Sequence, residues 1–364
     1  MRSTRPEPPD NTIELTPSAL RTWIAERGDP AYRVTQVLAS VYRRRQHSFA
    51  AISDVSLTLR AALAAHFRVP TLSPALVSHS RDHTRKLLFQ FDERAAIESV
   101  LIPDPPRLTL CVSTQAGCGM ACAFCATARL GLRRNLSVNE IAGQVLAAQE
   151  VLSAAERLSN VVFMGMGEPL ANYDALLEAI EILTADWGVG LSARRITVST
   201  VGLVSQMERL VRETSVQLAV SLSGTTDEQR ARLMPINRRY PLRTLMAMCR
   251  SLPIAQRRRI TFEYVMLAGV NDSVDDAGRL VGLLHGIRAK VNLIPFNAFP
   301  DAGFVSSPRS VILRFQHELL QRGVHATIRE SRGSDIEAAC GQLALASAPP
   351  PWPRDAGVAI EPGA

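Results

Sequence analysis

Residues 108–125 read LTLCVSTQAGCGMACAFC, a short apolar segment followed closely by three cysteines. The segment Leu108–Ser113 has the apolar character of a buried strand, and the cysteines follow it as a loop. In a chain of 364 residues with six cysteines, the C-x3-C-x2-C spacing of Cys118, Cys122 and Cys125 is poorly explained by coincidence. The stretch therefore indicates a metal or metal-cluster site at the end of a strand.

Short apolar segments alternate with amphipathic ones through the rest of the chain. The segments that predict strands are Leu108–Ser113, Asn160–Met164, Arg195–Thr200, Val216–Leu222, Ile260–Leu267, Lys290–Pro295 and Val324–Arg329. Helical patterns lie between them, such as Val138–Leu152, which follows a capping-box signal from Ser137 to Glu140. Strands separated by helices form parallel sheets, so we predict an α/β fold, a partial (β/α)6 barrel of TIM type. In such barrels the chemistry lies at the C-terminal ends of the strands.

We expect the barrel to be one of five segments of the chain. In chain order we predict a flexible tail over 1–11, an N-terminal helical accessory domain over 12–75, a β-hairpin extension over 76–107, the core barrel over 108–346 and a disordered tail over 347–364. The helical domain is predicted from the apolar spacing of Val34, Leu38 and Val41 and from a further helix over Leu57–His66. The turn of the hairpin is expected at Asp92–Arg94.

Composition and charge narrow the class of protein. Hydrophobic residues make up 46% and charged residues 21%, as in globular proteins. No apolar run approaches a membrane span, and the N-terminus lacks the apolar core of a secretion signal, so we expect a cytoplasmic protein that does not bind membranes. The net charge of +7 fits a phosphate-bearing partner such as nucleic acid, although a GC-rich genome would also enrich arginine. The basic stretches are Arg43–Arg45, Arg129 with Arg133 and Arg134, and Arg257–Arg259.

The number of cysteines in the loop bears on the kind of metal site. Structural zinc usually takes four ligands in two close pairs, and no second pair follows in this sequence. Three thiolates suit an iron–sulfur cluster, which leaves one iron open to a small molecule. Zinc remains the structural alternative.

Five motifs, taken with the cysteine loop, resemble one known family. In chain order they are CVSTQAGC (111–118), NVVFMGMGEPL (160–170), EYVML (263–267), NLIPFN (292–297) and DIEAACGQL (335–343). The cysteine loop, with an aromatic residue before its last cysteine, resembles the radical S-adenosylmethionine (SAM) superfamily. The motifs together resemble its RlmN family, the adenosine C2 methyltransferases of ribosomal and transfer RNA.

The resemblance implies two cofactors. Cys118, Cys122 and Cys125 would hold a [4Fe-4S] cluster, and SAM would bind its open iron, with two SAM molecules used per turnover. The implied SAM contacts are Gly167, Glu168, Ser199, Ser221, Leu222, Ser223 and Asn297. Two positions depart from the family, which usually has histidine at Ser223 and serine at Val201. Serine cannot stack as an imidazole does, so these departures bear on SAM affinity.

The implied reaction methylates carbon 2 of adenosine, at adenosine 2503 of 23S ribosomal RNA and adenosine 37 of transfer RNA. That carbon is electron-poor and has no nucleophilic lone pair, so the family uses a covalent carrier. One SAM methylates Cys340, a radical from a second SAM removes hydrogen from that methyl group, and the methylene radical adds to carbon 2. Glu98 is the implied proton acceptor. Cys111 is the implied resolving thiol, which releases the product by forming a transient disulfide with Cys340.

The implied partners are 23S ribosomal RNA, transfer RNA and an electron donor of flavodoxin type, and we expect a monomer. Two alternatives stay open, a Cfr-type adenine C8 methyltransferase and a non-catalytic iron–sulfur RNA-binding protein. The sequence Glu168–Leu170 and the residue Ala116 favour the C2 type over the C8 type. A non-catalytic protein would have no need of Cys111 and Cys340.

Overall fold

The computed structural model describes residues 12–91, 95–255 and 258–344. The chain forms two compact units. The first contains Met1–Ser73, Leu136–Ala155 and Asp174–Ser192, and the second contains Pro74–Asn135, Glu156–Tyr173 and Ala193–Ala364. The two predicted tails (1–11 and 347–364), the predicted turn Asp92–Arg94 and Arg257 of one basic stretch lie outside the described residues.

The helices and strands follow the predicted order closely. The strands are β1 (Ile13–Glu14), β2 (Phe67–Arg68), β3 (Leu76–His79), β4 (Arg85–Gln90), β5 (Ala96–Asp104), β6 (Arg107–Cys111), β7 (Gln115–Gly117), β8 (Leu132–Asn135), β9 (Asn160–Phe163), β10 (Ile196–Thr200), β11 (Gln217–Ser221), β12 (Ile260–Met266), β13 (Ala289–Pro295) and β14 (Ala326–Ile328). The helices are α1 (Pro17–Glu26), α2 (Tyr32–Tyr42), α3 (Leu57–His66), α4 (Ala126–Arg129), α5 (Val138–Glu150), α6 (Tyr173–Thr184), α7 (Val204–Glu213), α8 (Asp227–Leu233), α9 (Leu242–Ser251), α10 (Val274–Leu284) and α11 (Arg309–Gln321). No helix in the described ranges combines the length and the apolar character that crossing a bilayer requires.

One ten-stranded sheet is the framework of the second unit, in the order β14-β13-β12-β11-β10-β9-β6-β5-β4-β3. Pairing is parallel from β6 through β9 and on to β14. Within the described chain, six of these strands, β6 and β9 to β13, are each followed by a helix, and β14 adds a seventh parallel strand. The predicted partial (β/α)6 fold is therefore confirmed, with one strand more than the six repeats require.

Three antiparallel strands extend this sheet beyond β6. The predicted hairpin is present as β4 and β5, in which Gln90 faces Ala96 across the pair. Strand β3 pairs with β4, and β5 pairs with β6, so the hairpin is continuous with the parallel strands. It thereby brings residues of β4 and β5 into register with the strand that precedes the cysteine loop.

The first unit has its own apolar core. The helices α1, α2 and α3 match the predicted helical segment, and α1 begins after Thr16, whose side chain accepts a hydrogen bond from the Ala19 amide. The core contains fully buried residues of these helices, and Val138, Ala142 and Ile182 from α5 and α6 join it. Two helices that follow barrel strands in sequence thus belong to this unit, which sequence patterns did not indicate.

Replacing Tyr42 tests how much its hydrogen bonds, one of them to α5, stabilise the first unit. The Tyr42 hydroxyl lies 2.8 Å from the carbonyl oxygen of Leu15 and 3.0 Å from the side-chain amide of Asn139, all within this unit. We expect Tyr42→Phe to lower the free energy of unfolding by about 1–3 kcal/mol, because it leaves buried polar groups without a partner. Urea unfolding measures this, with the exposed Tyr32→Phe as the control; equal stability of the two variants would contradict the prediction.

Candidate active site

A cavity opens at the C-terminal ends of the parallel strands. It measures about 970 Å³ when the space open to solvent is included, and it lies where barrel enzymes place their chemistry. The predicted site residues that line it are Cys118, Cys122, Cys125, Gly167, Glu168, Ser199, Ser221, Ser223, Asn297 and Cys340. Glu98, Cys111 and Leu222 do not line it. Leu222 is fully buried, and its amide donates to the Glu263 carbonyl oxygen at 2.9 Å.

The cysteine loop (Cys118–Cys125) lies between β7 and α4 and is fastened to neighbouring segments by its backbone. The Ala123 amide donates to the carbonyl oxygen of Leu233, at the end of α8, at 2.9 Å. Just after the loop, the Ala126 amide donates to the Gly341 carbonyl oxygen at 2.7 Å. The loop is therefore tied both to the wall of the cavity and to the segment that carries Cys340.

The three loop thiols fit a cluster better than a single ion. Burial raises the pKa of all three thiols. Negative charge on other loop thiolates adds to the shift for Cys118, whose pKa is about 12, and for Cys122, whereas charge on Cys340 adds to it for Cys125. Three adjacent thiolates therefore need positive charge, which metal ions supply. Within the described ranges, no three His, Cys, Asp or Glu side chains are close enough to share one metal ion. A [4Fe-4S] cluster does not require that, because each thiolate bonds a different iron.

The glycine–acid pair after β9 has the features of a cation site. Gly167 has φ +98°, and a Cβ there would stand 2.5 Å from the Cβ of Gln115, so a larger residue does not fit. Glu168 is buried and accepts from the amides of Val201 at 2.9 Å and Leu170 at 3.1 Å. Burial raises its pKa to about 7, although these donors oppose the shift. A carboxylate held in this way suits an ammonium group such as that of SAM.

The two departures from the family pattern have different structural settings. The hydrogen bonds of Val201 use its backbone alone, since its amide donates to Glu168 and its carbonyl oxygen accepts from Arg230 at 2.7 Å. Ser223 has φ +47°, and its hydroxyl oxygen accepts from the Val265 amide at 3.3 Å. A hydroxyl at position 201 is therefore not needed for these backbone bonds, whereas the Ser223 hydroxyl already contacts the chain.

Asn297 lines the cavity and also positions the segment that carries Cys340. Its side-chain nitrogen donates to the Cys340 carbonyl oxygen at 3.0 Å. Its side-chain oxygen accepts from the Ser331 hydroxyl at 2.5 Å. In this conformation both ends of the amide are bonded to the protein, so Asn297 acts on the carrier segment as well as facing the cavity.

Cys111 and Cys340, far apart in sequence, share one electrostatic environment. Cys111 is buried on β6, and burial raises the pKa of its thiol to about 12; a charge on Cys340 adds to the shift, and Arg329 opposes it. Negative charge on Cys340, Glu263 and Cys111 raises the pKa of Arg329, which lines the cavity. All six cysteines are free thiols. The guanidinium is therefore placed to favour the thiolate form of Cys111.

Glu98 lies beside the cavity rather than on its surface. Its carboxylate on β5 is 2.9 Å from the Lys86 ammonium on β4, and the two side chains are 0% and 2% exposed. The same ammonium lies 3.5 Å from the carbonyl oxygen of Glu337, three residues before Cys340. The predicted proton acceptor is therefore held in a buried ion pair close to the carrier segment.

Sequence reasoning assigned no role to three charged residues near the cavity: Arg230, Glu263 and Arg329. Arg230 is fully buried, whereas Glu263 and Arg329 line the cavity. The segment ITFEYVM contained a usable signal, because a glutamate inside an apolar central strand predicts a buried carboxylate. The sequence carries no such signal for Arg230 and Arg329, because the chain is rich in arginine.

Comparison with known proteins agrees with this geometry. A model of the Radical SAM superfamily matches residues 112–281, and one of the Ribosomal RNA large subunit methyltransferase N-terminal domain matches 10–69. The Dual-specificity RNA methyltransferase RlmN of Geobacter sulfurreducens is 50% identical over 329 residues, 90% of each chain. The chain belongs to the RlmN family of the radical SAM superfamily.

Further RlmN relatives and a solved structure support the assignment. The protein of the same name from Syntrophobacter fumaroxidans is 47% identical and covers 91% of this chain and 96% of its own. The crystal structure of a radical SAM methyltransferase from Sphaerobacter thermophilus superposes with a TM-score of 0.83 at 45% identity, covering 91% of this chain and 98% of that one. The predicted resemblance is confirmed.

Removing one loop thiol tests the cluster site. We expect Cys122→Ala to abolish cluster binding and SAM cleavage, because two thiolates cannot hold the cluster. Iron content, visible absorbance and 5′-deoxyadenosine release under anaerobic reduction measure this. The matched control is Cys249→Ala, which removes a buried thiol on α9, away from the cavity, and should keep all three signals. Normal cluster absorbance and activity in Cys122→Ala would contradict the assignment.

Proposed function

We propose that the protein methylates carbon 2 of adenosine in 23S ribosomal RNA and transfer RNA. It uses a [4Fe-4S] cluster, SAM and a methyl carrier on Cys340. The observation that carries this proposal is that one cavity brings the three loop cysteines together with Glu168 and Cys340, while Cys111 lies close by. A protein that only binds RNA would not need the thiols of Cys340 and Cys111. The relatives named dual-specificity RNA methyltransferases add support.

The cofactor-binding residues have separate tasks in the cavity. When bound, a [4Fe-4S] cluster supplies the electron for reductive cleavage of SAM. The loop cysteines would hold the cluster, and the Glu168 carboxylate would bind the SAM ammonium. Ser199, Ser221 and Ser223 line the cavity with hydroxyls that suit the polar groups of the same ligand.

The carrier chemistry belongs to Cys340 and Cys111. Gly341 has φ +82°, and a Cβ there would lie 3.3 Å from the Phe124 carbonyl oxygen, so the turn at the carrier needs glycine. Once the carrier sulfur is joined to the base, the Cys111 thiolate would attack that sulfur, so that an S–S bond forms and the sulfur–methylene bond breaks. The electron pair of the broken bond goes to the methylene carbon, which takes up a proton and becomes the methyl group of the released product. Arg329 would favour that thiolate against the cost of burial.

The RNA substrate must expose the edge of adenine that bears carbon 2, so the base is expected to be unstacked or flipped into the cavity. The net charge of +7 supports a phosphate-bearing substrate. Two arginines of the basic stretches form bonds within the protein: Arg44 pairs with Asp54 at 2.9 Å, and Arg129 donates to the Pro300 carbonyl oxygen at 3.1 Å. We further propose that the protein acts as a monomer in the cytoplasm with an electron donor of flavodoxin type.

The two-thiol mechanism predicts a trapped intermediate. In Cys111→Ala, Cys340 should still be methylated and still join the RNA base, but no thiolate can release the product. The protein should therefore remain covalently attached to RNA, seen as a nuclease-sensitive shift in gel mobility. Cys340→Ala is the matched control and should form no adduct, because the carrier is missing. Normal turnover without adduct in Cys111→Ala would exclude this mechanism.

The Glu98–Lys86 pair permits a test that separates stability from proton transfer. Glu98→Gln and Lys86→Met should each lower the free energy of unfolding by about 3–5 kcal/mol, because each removes one partner of a buried ion pair. The double variant should recover most of that loss. We expect it nonetheless to fail in RNA methylation and to accumulate the protein–RNA adduct, since no base removes the proton.

Urea unfolding and product analysis on the same preparations measure both effects. Lys86→Met alone is the control that keeps the carboxylate. Methylation by the double variant at the wild-type rate would remove Glu98 from the mechanism.

A further inference from the structure

A row of polar side chains crosses the sheet beneath the cavity. Ser221 on β11, Glu263 on β12, Asn292 on β13 and Thr327 on β14 are paired in register across these parallel strands. In-register residues point to the same face of a sheet, so the four side chains lie side by side. Glu263 is the buried member of the row, Ser221 and Asn292 are half-buried, and Thr327 at the edge of the sheet is exposed. A buried carboxylate is costly unless hydrogen bonds satisfy it.

The hydrogen bonds in this row run in one direction. The Thr327 hydroxyl donates to the side-chain oxygen of Asn292 at 2.7 Å, and the Asn292 side-chain nitrogen donates to Oε1 of Glu263 at 3.0 Å. A carboxylate only accepts, so Asn292 must present its nitrogen to Glu263, and the Thr327 hydroxyl favours the same orientation. The row therefore fixes the orientation of the Glu263 carboxylate.

The other oxygen of this carboxylate has no such bond. Oε2 of Glu263 is buried without a hydrogen-bond partner among the described residues, although the side chain lines the cavity and the residue is only 5% exposed. An unsatisfied buried acceptor is uncommon and costly, which indicates that its donor comes from a bound molecule.

The charges around Glu263 define the kind of donor. Arg329 and Lys290 already place positive charge near the carboxylate. Arg329 also interacts with Cys340, whereas the cation site at Glu168 interacts with Cys118 and Cys122 on the loop. A second cation is therefore not required at Glu263, and a neutral N–H or O–H donor completes its bonding.

We propose that Oε2 of Glu263 accepts a hydrogen bond from an adenosine group in the cavity, through its 6-amino group or a ribose hydroxyl. This inference rests on the proposed function, which brings two adenosines to the cavity, the adenosyl group of SAM and the target nucleotide. Both carry the same neutral donors. Glu263 is a ligand-binding residue, and Asn292 and Thr327 are positioning residues that act through it.

The test uses the cluster-loaded enzyme with Glu263→Gln. The oxygen of the new glutamine can still accept from Asn292. The NH2 group of that glutamine then takes the place of Oε2, so a donor replaces an acceptor there. Three quantities are measured: the dissociation constant for SAM, methylation of Cys340 by mass spectrometry, and kcat/KM for RNA. We expect a loss of roughly ten-fold or more in one binding step, the size usual for a lost hydrogen bond to a charged group.

The pattern of loss identifies the source of the adenosine. If the donor belongs to SAM, the SAM dissociation constant rises and Cys340 methylation slows. If it belongs to the target nucleotide, SAM binding and Cys340 methylation stay within two-fold of wild type and kcat/KM for RNA falls. If the SAM dissociation constant and kcat/KM for RNA both stay within two-fold of wild type, the inference is overturned.

Matched variants separate binding from folding. Glu330→Gln is the control, because it removes a negative charge from the residue that follows Arg329 in the chain. The Glu330 side chain is exposed and pairs with Arg309 at 3.0 Å. This variant should leave all three quantities unchanged. Thr327→Val removes the hydrogen bond that holds the Asn292 side chain. It should weaken the same binding step as Glu263→Gln, but by a smaller factor. Should Glu263→Gln fail to fold, unchanged constants in Thr327→Val overturn the inference.

Failure of the proposed function has a different signature. In that case the wild-type enzyme itself does not methylate RNA, while it still binds SAM. The SAM dissociation constant of Glu263→Gln then decides the inference alone, and a value within two-fold of wild type overturns it.

Discussion

Three half-buried thiols within one short loop constrain the cavity that they line. Neutral thiols tolerate that burial, as their raised pKa values indicate, but thiolates require positive charge beside them. The loop must therefore keep a fixed shape that suits several metal ions. Its backbone bonds to Leu233 and Gly341 provide that shape, and they fix the neighbouring α8 and the carrier segment at the same time.

Two arginines organise the walls of the cavity in different ways. Arg230 donates to the carbonyl oxygens of Val201 at 2.7 Å and Ser221 at 3.3 Å, and so joins the ends of β10 and β11. Arg329 instead interacts with the two thiols and the carboxylate of Glu263. One arginine thus maintains the geometry of the backbone, and the other sets the charge around the carrier.

Sequence patterns predicted the framework because its elements are long and regular. All seven predicted strands of the parallel sheet are present, and the capping box at Ser137 opens α5 as expected. The pairs β1–β2 and β7–β8 were missed, since strands of two to four residues carry too little alternation to detect. The cysteine loop was predictable from its spacing. The burial of Glu263 was also predictable from its strand, but its unsatisfied oxygen was not, because the hydrogen bonding depends on the register of strands that are distant in sequence.

The bond from the Ala126 amide to the Gly341 carbonyl oxygen has a thermodynamic consequence. It joins the end of the cysteine loop to the segment that holds Cys340, so the two segments form one cooperative element. Whatever stabilises the ordered loop also stabilises the seated carrier, and by linkage the effect is equal in the reverse direction. Cys340 is therefore held more firmly when the loop is ordered.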